Sequence, residues 1–347
     1  MPVSRRLALP ALMAVSALGL AACGNGGSDA ADGQAGTSGD AVITVVTATN
    51  VYGDIAAAVG GDDVEVTPIV NSLSQDPHSY EPTVQDKLSV SEADLVIENG
   101  GGYDAFLGRL ADETGVETVL NAVELSGLEE PDGAGDEHAG EEEHAGEEEH
   151  AGEEEHAGEE EHAGEEEHGH GSLNEHVWYD LPAMATLAGA IADELARLDE
   201  PNAEAYRQRA DAFVEDLQPV QDRLAALASE NGGNDVEVAV TEPVPAYLLE
   251  AAGLEDLTPE GFIEAIEEES DVPVAALEEM KTLVSGGSLA FLAYNGQTEG
   301  AQTEAVRSAA EEAGLPIVDF TETLPDGEDY VSWMAGNTDS IEAALGS

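Results

Sequence analysis

Nine histidines occur in this chain of 347 residues, and seven of them fall between positions 138 and 170. The other two, His78 and His176, stand in short stretches: Gln75-Asp76-Pro77-His78-Ser79-Tyr80-Glu81-Pro82 and Asn174-Glu175-His176-Val177-Trp178-Tyr179-Asp180-Leu181-Pro182. The prolines around His78 restrict its loop, so part of the cost of ordering it is met before a ligand arrives. Neutral imidazole nitrogens beside a carboxylate are donors suited to divalent transition metals. The chemistry these residues could perform is therefore to hold a metal ion, provided the fold brings the two histidines together.

Catalytic readings find less support. There is no H-E-x-x-H, no G-x-S-x-G and no paired acid and base beside the histidine motifs, so a metal-dependent hydrolase lacks its usual parts. Asn99-Gly100-Gly101-Gly102 has neither the G-x-G-x-x-G spacing nor a Walker lysine. It reads as a tight turn between a strand and a helix.

Residues 138–167 are five copies of His-Ala-Gly-Glu-Glu-Glu, followed by His168-Gly169-His170-Gly171. A period of six suits neither helix nor strand, and nothing apolar exceeds alanine, so the segment 136–171 is expected to be disordered. Imidazoles and carboxylates on a pliable chain can collect metal loosely. The competing expectations are a solvated acidic loop, or a surface zinc buffer or adhesin in which the repeat is the working part.

The elements that must position His78 and His176 alternate in type. Residues 41–47 form a short β-branched run, helical spacing follows over 51–59, and 64–70 alternate like a second strand, with the His78 loop after it. Helices are expected over 83–91 and 103–113, and strands over 94–98 and 116–120. After His176, helices are expected over 183–198 and 202–229, the latter kinked by Pro219. The second half repeats the theme, with strands over 236–241, 288–293 and 316–320, helices over 246–252, 260–269, 274–284 and 298–313, and a last helix over 341–345. Such alternation predicts an α/β fold of mostly parallel sheets flanked by helices, with ligands outside the carboxyl ends of the strands. His78 leaves such an end, and so does Glu242, directly after Thr241.

The N-terminus has a basic start, an apolar run over 7–20 and Leu20-Ala21-Ala22-Cys23, which holds the only cysteine. That pattern is a secretory signal ending in a lipobox-like site, with Cys23 as the acylated residue. With one cysteine no internal disulfide framework is possible. Beyond residue 22 no apolar run approaches the roughly 20 residues that span a bilayer, so membrane attachment would be by lipid. The expected organisation is a signal peptide (1–22), a tether (23–40), an N-terminal lobe (41–135), the repeat (136–171), the end of that lobe with the second histidine motif (172–199), a linking helix (200–230) and a C-terminal lobe (231–347). Net charge is −65, and about −50 without the acidic tract and the N-terminal arginines, which argues against nucleic acid as a partner.

Across residues 41–345 the chain resembles the metal-binding solute-binding lipoproteins of bacterial zinc and manganese ABC importers. The resemblance rests on Asp76 to Pro82, on Asn174 to Asp180, and on Thr241-Glu242 with Tyr247 and Gly253 downstream. It implies two α/β lobes joined by a rigid helix, one divalent ion held in the cleft, and no enzymatic activity. It also implies a monomer that works with an ABC permease and its ATPase, held by a lipid on the extracellular face of the cytoplasmic membrane. By this resemblance His78 and His176 are the first two ligands, and Glu242 takes a third position that is histidine in typical zinc binders and glutamate in manganese binders. The fourth position falls on the loop after 288–293. There Glu299 stands one residue out of register, with water, Thr298 or a histidine of the repeat as alternatives. Glu242 leans toward manganese and the His-rich repeat toward zinc; zinc, the tighter binder at a given N/O site, is the expected cargo.

Overall fold

The computed structural model describes residues 42–128, 173–231, 236–268 and 270–346. Cys23, the signal and tether, and the repeat lie outside the described residues.

Strand β1 (Ile43–Thr49) runs into helix α1 (Asn50–Gly60), and β2 (Val64–Val70), α2 (Val84–Ser91), β3 (Leu95–Glu98), α3 (Ala105–Thr114), β4 (Val119–Asn121) and α4 (Ala122–Ser126) follow. All pairings are parallel, in the order β2-β1-β3-β4. The central strands β1 and β3 are buried almost throughout; β3 is apolar up to Glu98, and β1 sets Thr44, Thr47 and Thr49 among its apolar residues. The edge strand β2 alternates instead: one of its long sides has no strand partner, and Glu65 is exposed.

Helix α5 (Leu181–Leu198) is started by Asp180, whose carboxylate accepts from the Ala183 N–H, with Pro182 in its first turn. It leads to α6 (Ala203–Asn231), one 29-residue helix about 40 Å long that joins the lobes. Its buried residues Tyr206, Ala210, Phe213, Leu217, Val220, Leu224 and Leu227 recur every three or four positions on one stripe. Pro219 lies on the exposed side, so the helix continues through it and the carbonyl deprived of a donor, that of exposed Glu215, is on the solvent side.

The second lobe comprises β5 (Glu237–Val240), α7 (Ala246–Ala251), β6 (Glu255–Asp256), α8 (Glu260–Glu267), α9 (Val274–Ser285), β7 (Leu292–Asn295), α10 (Ala301–Ala313) and β8 (Ile317–Phe320). Its parallel order β6-β5-β7-β8 repeats that of the first sheet. The expected α/β architecture with a long linking helix is therefore the observed one. Several local bounds shift, two of them the most. The strand expected over 288–293 occupies Leu292–Asn295, and the last helix, α11, runs over Tyr330–Leu345 instead of starting at 341. Asp329 caps α11 by accepting from the Ser332 N–H, a start that a short apolar count at 341–345 does not reveal.

Gly253 follows α7 at φ +71°, and a Cβ there would lie 2.8 Å from the Ala228 Cα on α6. Gly253→Ala combines left-handed backbone strain with a clash against the linking helix. It is expected to cost at least about 2 kcal/mol, read as a lowered melting temperature.

Candidate metal centre

The site lies where loops leave the carboxyl ends of both sheets, the expected position in parallel α/β folds. His78 comes from the loop after β2. Within it the Asp76 carboxylate accepts from the His78 N–H (2.9 Å) and the Ser79 hydroxyl (2.7 Å), fixing the turn with its own side chain. His176 precedes a single 3₁₀ turn, Val177–Tyr179, and is fully buried. Asn174 Oδ1 accepts from the His176 backbone N–H (3.1 Å) and lies 2.6 Å from its Nδ1. An amide oxygen can only accept, so Nδ1 carries the proton and Nε2 presents a lone pair.

Glu242 follows β5 and Glu322 follows β8, and both are buried, at 4% and 0% exposure. His78 Nε2 lies 3.4 Å from Glu322 Oε2 and 3.8 Å from Glu242 Oε1, and its Nδ1 lies 3.2 Å from Glu175 Oε1. Ligand atoms of His78, Glu242 and Glu322 lie within 4.8 Å of one another, as do those of His78, Glu175 and His176. The two imidazole rings are 5.7 Å apart. The chain's two histidines outside the repeat therefore meet, with His78 common to both groups. Both Nε2 atoms are buried and make no hydrogen bond. Two buried imidazole nitrogens without hydrogen-bond partners, one of them beside two buried carboxylates, fit a divalent cation that takes the place of the His78 proton.

Hydrogen bonds hold the carboxylates in place. The Asn295 amide, at the end of β7, donates to Glu242 Oε2 (2.6 Å) and Glu322 Oε1 (2.7 Å). Thr298 Oγ1 also donates to Glu242 Oε2, and the Tyr103 hydroxyl donates to Glu322 Oε2 (3.0 Å). Gln297 straps the loops together: its amide donates to the Gln75 carbonyl, and its oxygen accepts from the N–H groups of Glu322 and Thr323. Asn174 Nδ2 donates to the Pro243 carbonyl and the Tyr247 hydroxyl to the Asn174 carbonyl, tying the His176 loop to the Glu242 loop.

The charges explain themselves. Burial pushes the His78 pKa down, but the carboxylates of Glu322, Glu242 and Glu175 outweigh it and raise it to about 10. Burial, followed by the positive charge of His78, holds His176 well below 6.5. Burial, followed by the charge of Glu322, raises Glu242.

Of the residues singled out in the sequence, the structure brings His176 and Glu242 each beside His78. Glu299 does not join them. It is exposed, and its carboxylate accepts from the Tyr294 hydroxyl at 2.9 Å. The acidic residue in the site is Glu322, one strand later. A local signal for it exists: Val240-Thr241-Glu242 and Phe320-Thr321-Glu322 are both strand ends followed by Thr-Glu. The glycine turn at 100–102 is structural. The Asp104 carboxylate accepts from the Asn99 and Gly100 N–H groups, and a Cβ on Gly100, at φ +82°, would meet Asn121 at 2.2 Å.

Residues 45–344 match the family model of ZnuA, "Zinc-uptake complex component A periplasmic". Among curated relatives, the manganese-binding lipoprotein MntA of Halalkalibacterium halodurans is 25% identical over 70% of this chain and 67% of its own length. The metal ABC transporter substrate-binding lipoprotein FimA of Streptococcus parasanguinis is 26% identical over 96% and 97%. Among solved structures, the periplasmic zinc-binding protein TroA of Treponema pallidum superposes with a TM-score of 0.66 at 19% identity, covering 88% of this chain and 99% of its own. At that identity the likeness speaks to the fold alone.

Proposed function

The chain belongs to the ZnuA family of periplasmic metal-binding components of ABC importers, and from that premise we propose that its cargo is zinc, captured by His78, His176, Glu242 and Glu322 and handed to a membrane permease driven by its ATPase. The observation that carries the reading is the meeting of two imidazoles, 5.7 Å apart and with buried Nε2 atoms that make no hydrogen bond, with two buried carboxylates beside His78. Two nitrogens and two oxygens suit zinc's four-coordinate habit, whereas manganese favours oxygen-rich surroundings of higher coordination. Manganese is the second reading. It is favoured by Glu242 in place of a third histidine and by relatives such as MntA that bear manganese in their names.

Cys23 is the proposed acylation point, which would hold the receptor on the outer face of the cytoplasmic membrane. Among the described residues no helix is long and apolar enough to cross a membrane.

Trp178 gives a readout specific to the cleft. Its ring lies 5.2 Å from that of His176, and residues 138–170 contain no tryptophan. Titrating the full chain with zinc is expected to produce a saturable change in tryptophan fluorescence at low micromolar metal. The change should vanish in the double variant His78→Ala/His176→Ala. Equal tightly held zinc in the two chains, with no fluorescence change in either, would move the function to the repeat.

A further inference from the structure

We propose that Asn295 sets the metal preference of the cleft by holding each of its two carboxylates to a single coordinating oxygen. The inference rests on the reading of the cleft as the cargo site, and it adds a residue that does not itself touch the ion.

Asn295 is 3% exposed and ends the central strand β7. Its amide orientation follows from its partners. Oδ1 accepts from the Gln297 backbone N–H (3.0 Å), a group that can only donate, so Nδ2 must face the carboxylates. Its two N–H bonds are then shared among three acceptors, Glu242 Oε2 (2.6 Å), Glu322 Oε1 (2.7 Å) and Thr298 Oγ1 (3.0 Å), of which the two carboxylate oxygens are the nearer. The Asn295 backbone N–H, bonded to Thr241 Oγ1 (3.0 Å), fixes the amide's origin beside the Glu242 loop.

The oxygens left to face His78 Nε2 are Glu242 Oε1 and Glu322 Oε2, the latter also accepting from Tyr103. Together with two imidazole nitrogens they make four donors. For either carboxylate to chelate through both oxygens, its far oxygen must turn toward the ion and leave Asn295. That would cost the buried amide a charged acceptor and leave it at most the weaker, neutral Thr298 Oγ1 in its place, which is unfavourable. Glu242 is held more firmly than Glu322, because Thr298 also donates to its far oxygen. Manganese gains from extra oxygen donors and zinc does not need them, so a clamp against chelation discriminates between the two without touching either.

The test is the ratio of zinc to manganese affinity in the full chain, each read by Trp178 fluorescence. In Asn295→Ala the ratio is expected to fall at least about tenfold, the size of one buried hydrogen bond, chiefly through tighter manganese binding. Thr298→Val, which removes one donor to Glu242 and leaves Asn295 in place, is expected to shift the ratio the same way by a smaller factor, and it serves if Asn295→Ala does not fold. A general loosening of the site would weaken both metals together and leave the ratio unchanged. An unchanged ratio in the folded variants overturns the clamp while leaving the cleft a metal receptor. A wild-type chain whose Trp178 responds to neither metal overturns the clamp and the cargo-site reading alike.

Discussion

Glu322→Gln is expected to weaken zinc binding by more than about 100-fold, while Glu299→Gln leaves it within about twofold. Residues that merely hold a ligand in place cost about 10–100-fold when changed, so loss of a direct anionic ligand should exceed that range. Glu322 is fully buried, 3.4 Å from His78 Nε2. Glutamine keeps its size and an oxygen able to accept from Tyr103 or Asn295, so the fold should survive while the charge is lost. Glu299, exposed and bonded to Tyr294, has no path to the ion in this arrangement. Fluorescence titration of both variants decides the matter, and a larger loss in Glu299→Gln would sink the assignment of Glu322.

The second large effect is on pH. Zinc affinity is expected to rise close to tenfold per pH unit from about 6.5 toward about 10, because the ion must displace the proton that His78 retains in the metal-free site. The same proton stabilises the metal-free fold. The His78 pKa is raised above its ordinary value of 6.5. Its contribution is therefore fully present below 6.5 and is lost as pH rises through about 10. Glu242, raised by burial and by Glu322, acts in the same direction, favouring the metal-free fold where it is protonated. His176 acts oppositely and below that window: its lowered pKa favours a neutral ring, so its contribution is lost as pH falls below 6.5. Scanning calorimetry with chelator should show a melting temperature that declines between 6.5 and 10, while the increment added by zinc grows. An increment flat with pH would mean that no proton leaves when zinc binds.

Much of this was legible before any fold was seen. His78 and His176 stood out because all other histidines lie in one repeat tract, and Glu242 because the family resemblance places a ligand at that position after a strand-like run. The alternation of strand and helix patterns gave the two parallel sheets and the long helix, since central strands favour β-branched and apolar residues and the linking helix must carry one apolar stripe.

Tertiary structure alone decided which acidic residue completes the cluster. The family resemblance pointed to the loop after the strand expected over 288–293, where Glu299 stood one residue out of register. In the folded chain, Glu322 enters from the neighbouring edge strand β8, because parallel order places the carboxyl ends of β5, β7 and β8 side by side. The roles of Asn295, Gln297 and Glu175 were equally hidden, for an amide or carboxylate acquires such a role only through partners dozens to hundreds of residues away. The residue types that can bind a metal are thus set along the chain by local chemistry. Their number, distances and hydrogen-bonded orientation are set by packing, which joins loops that no local pattern connects.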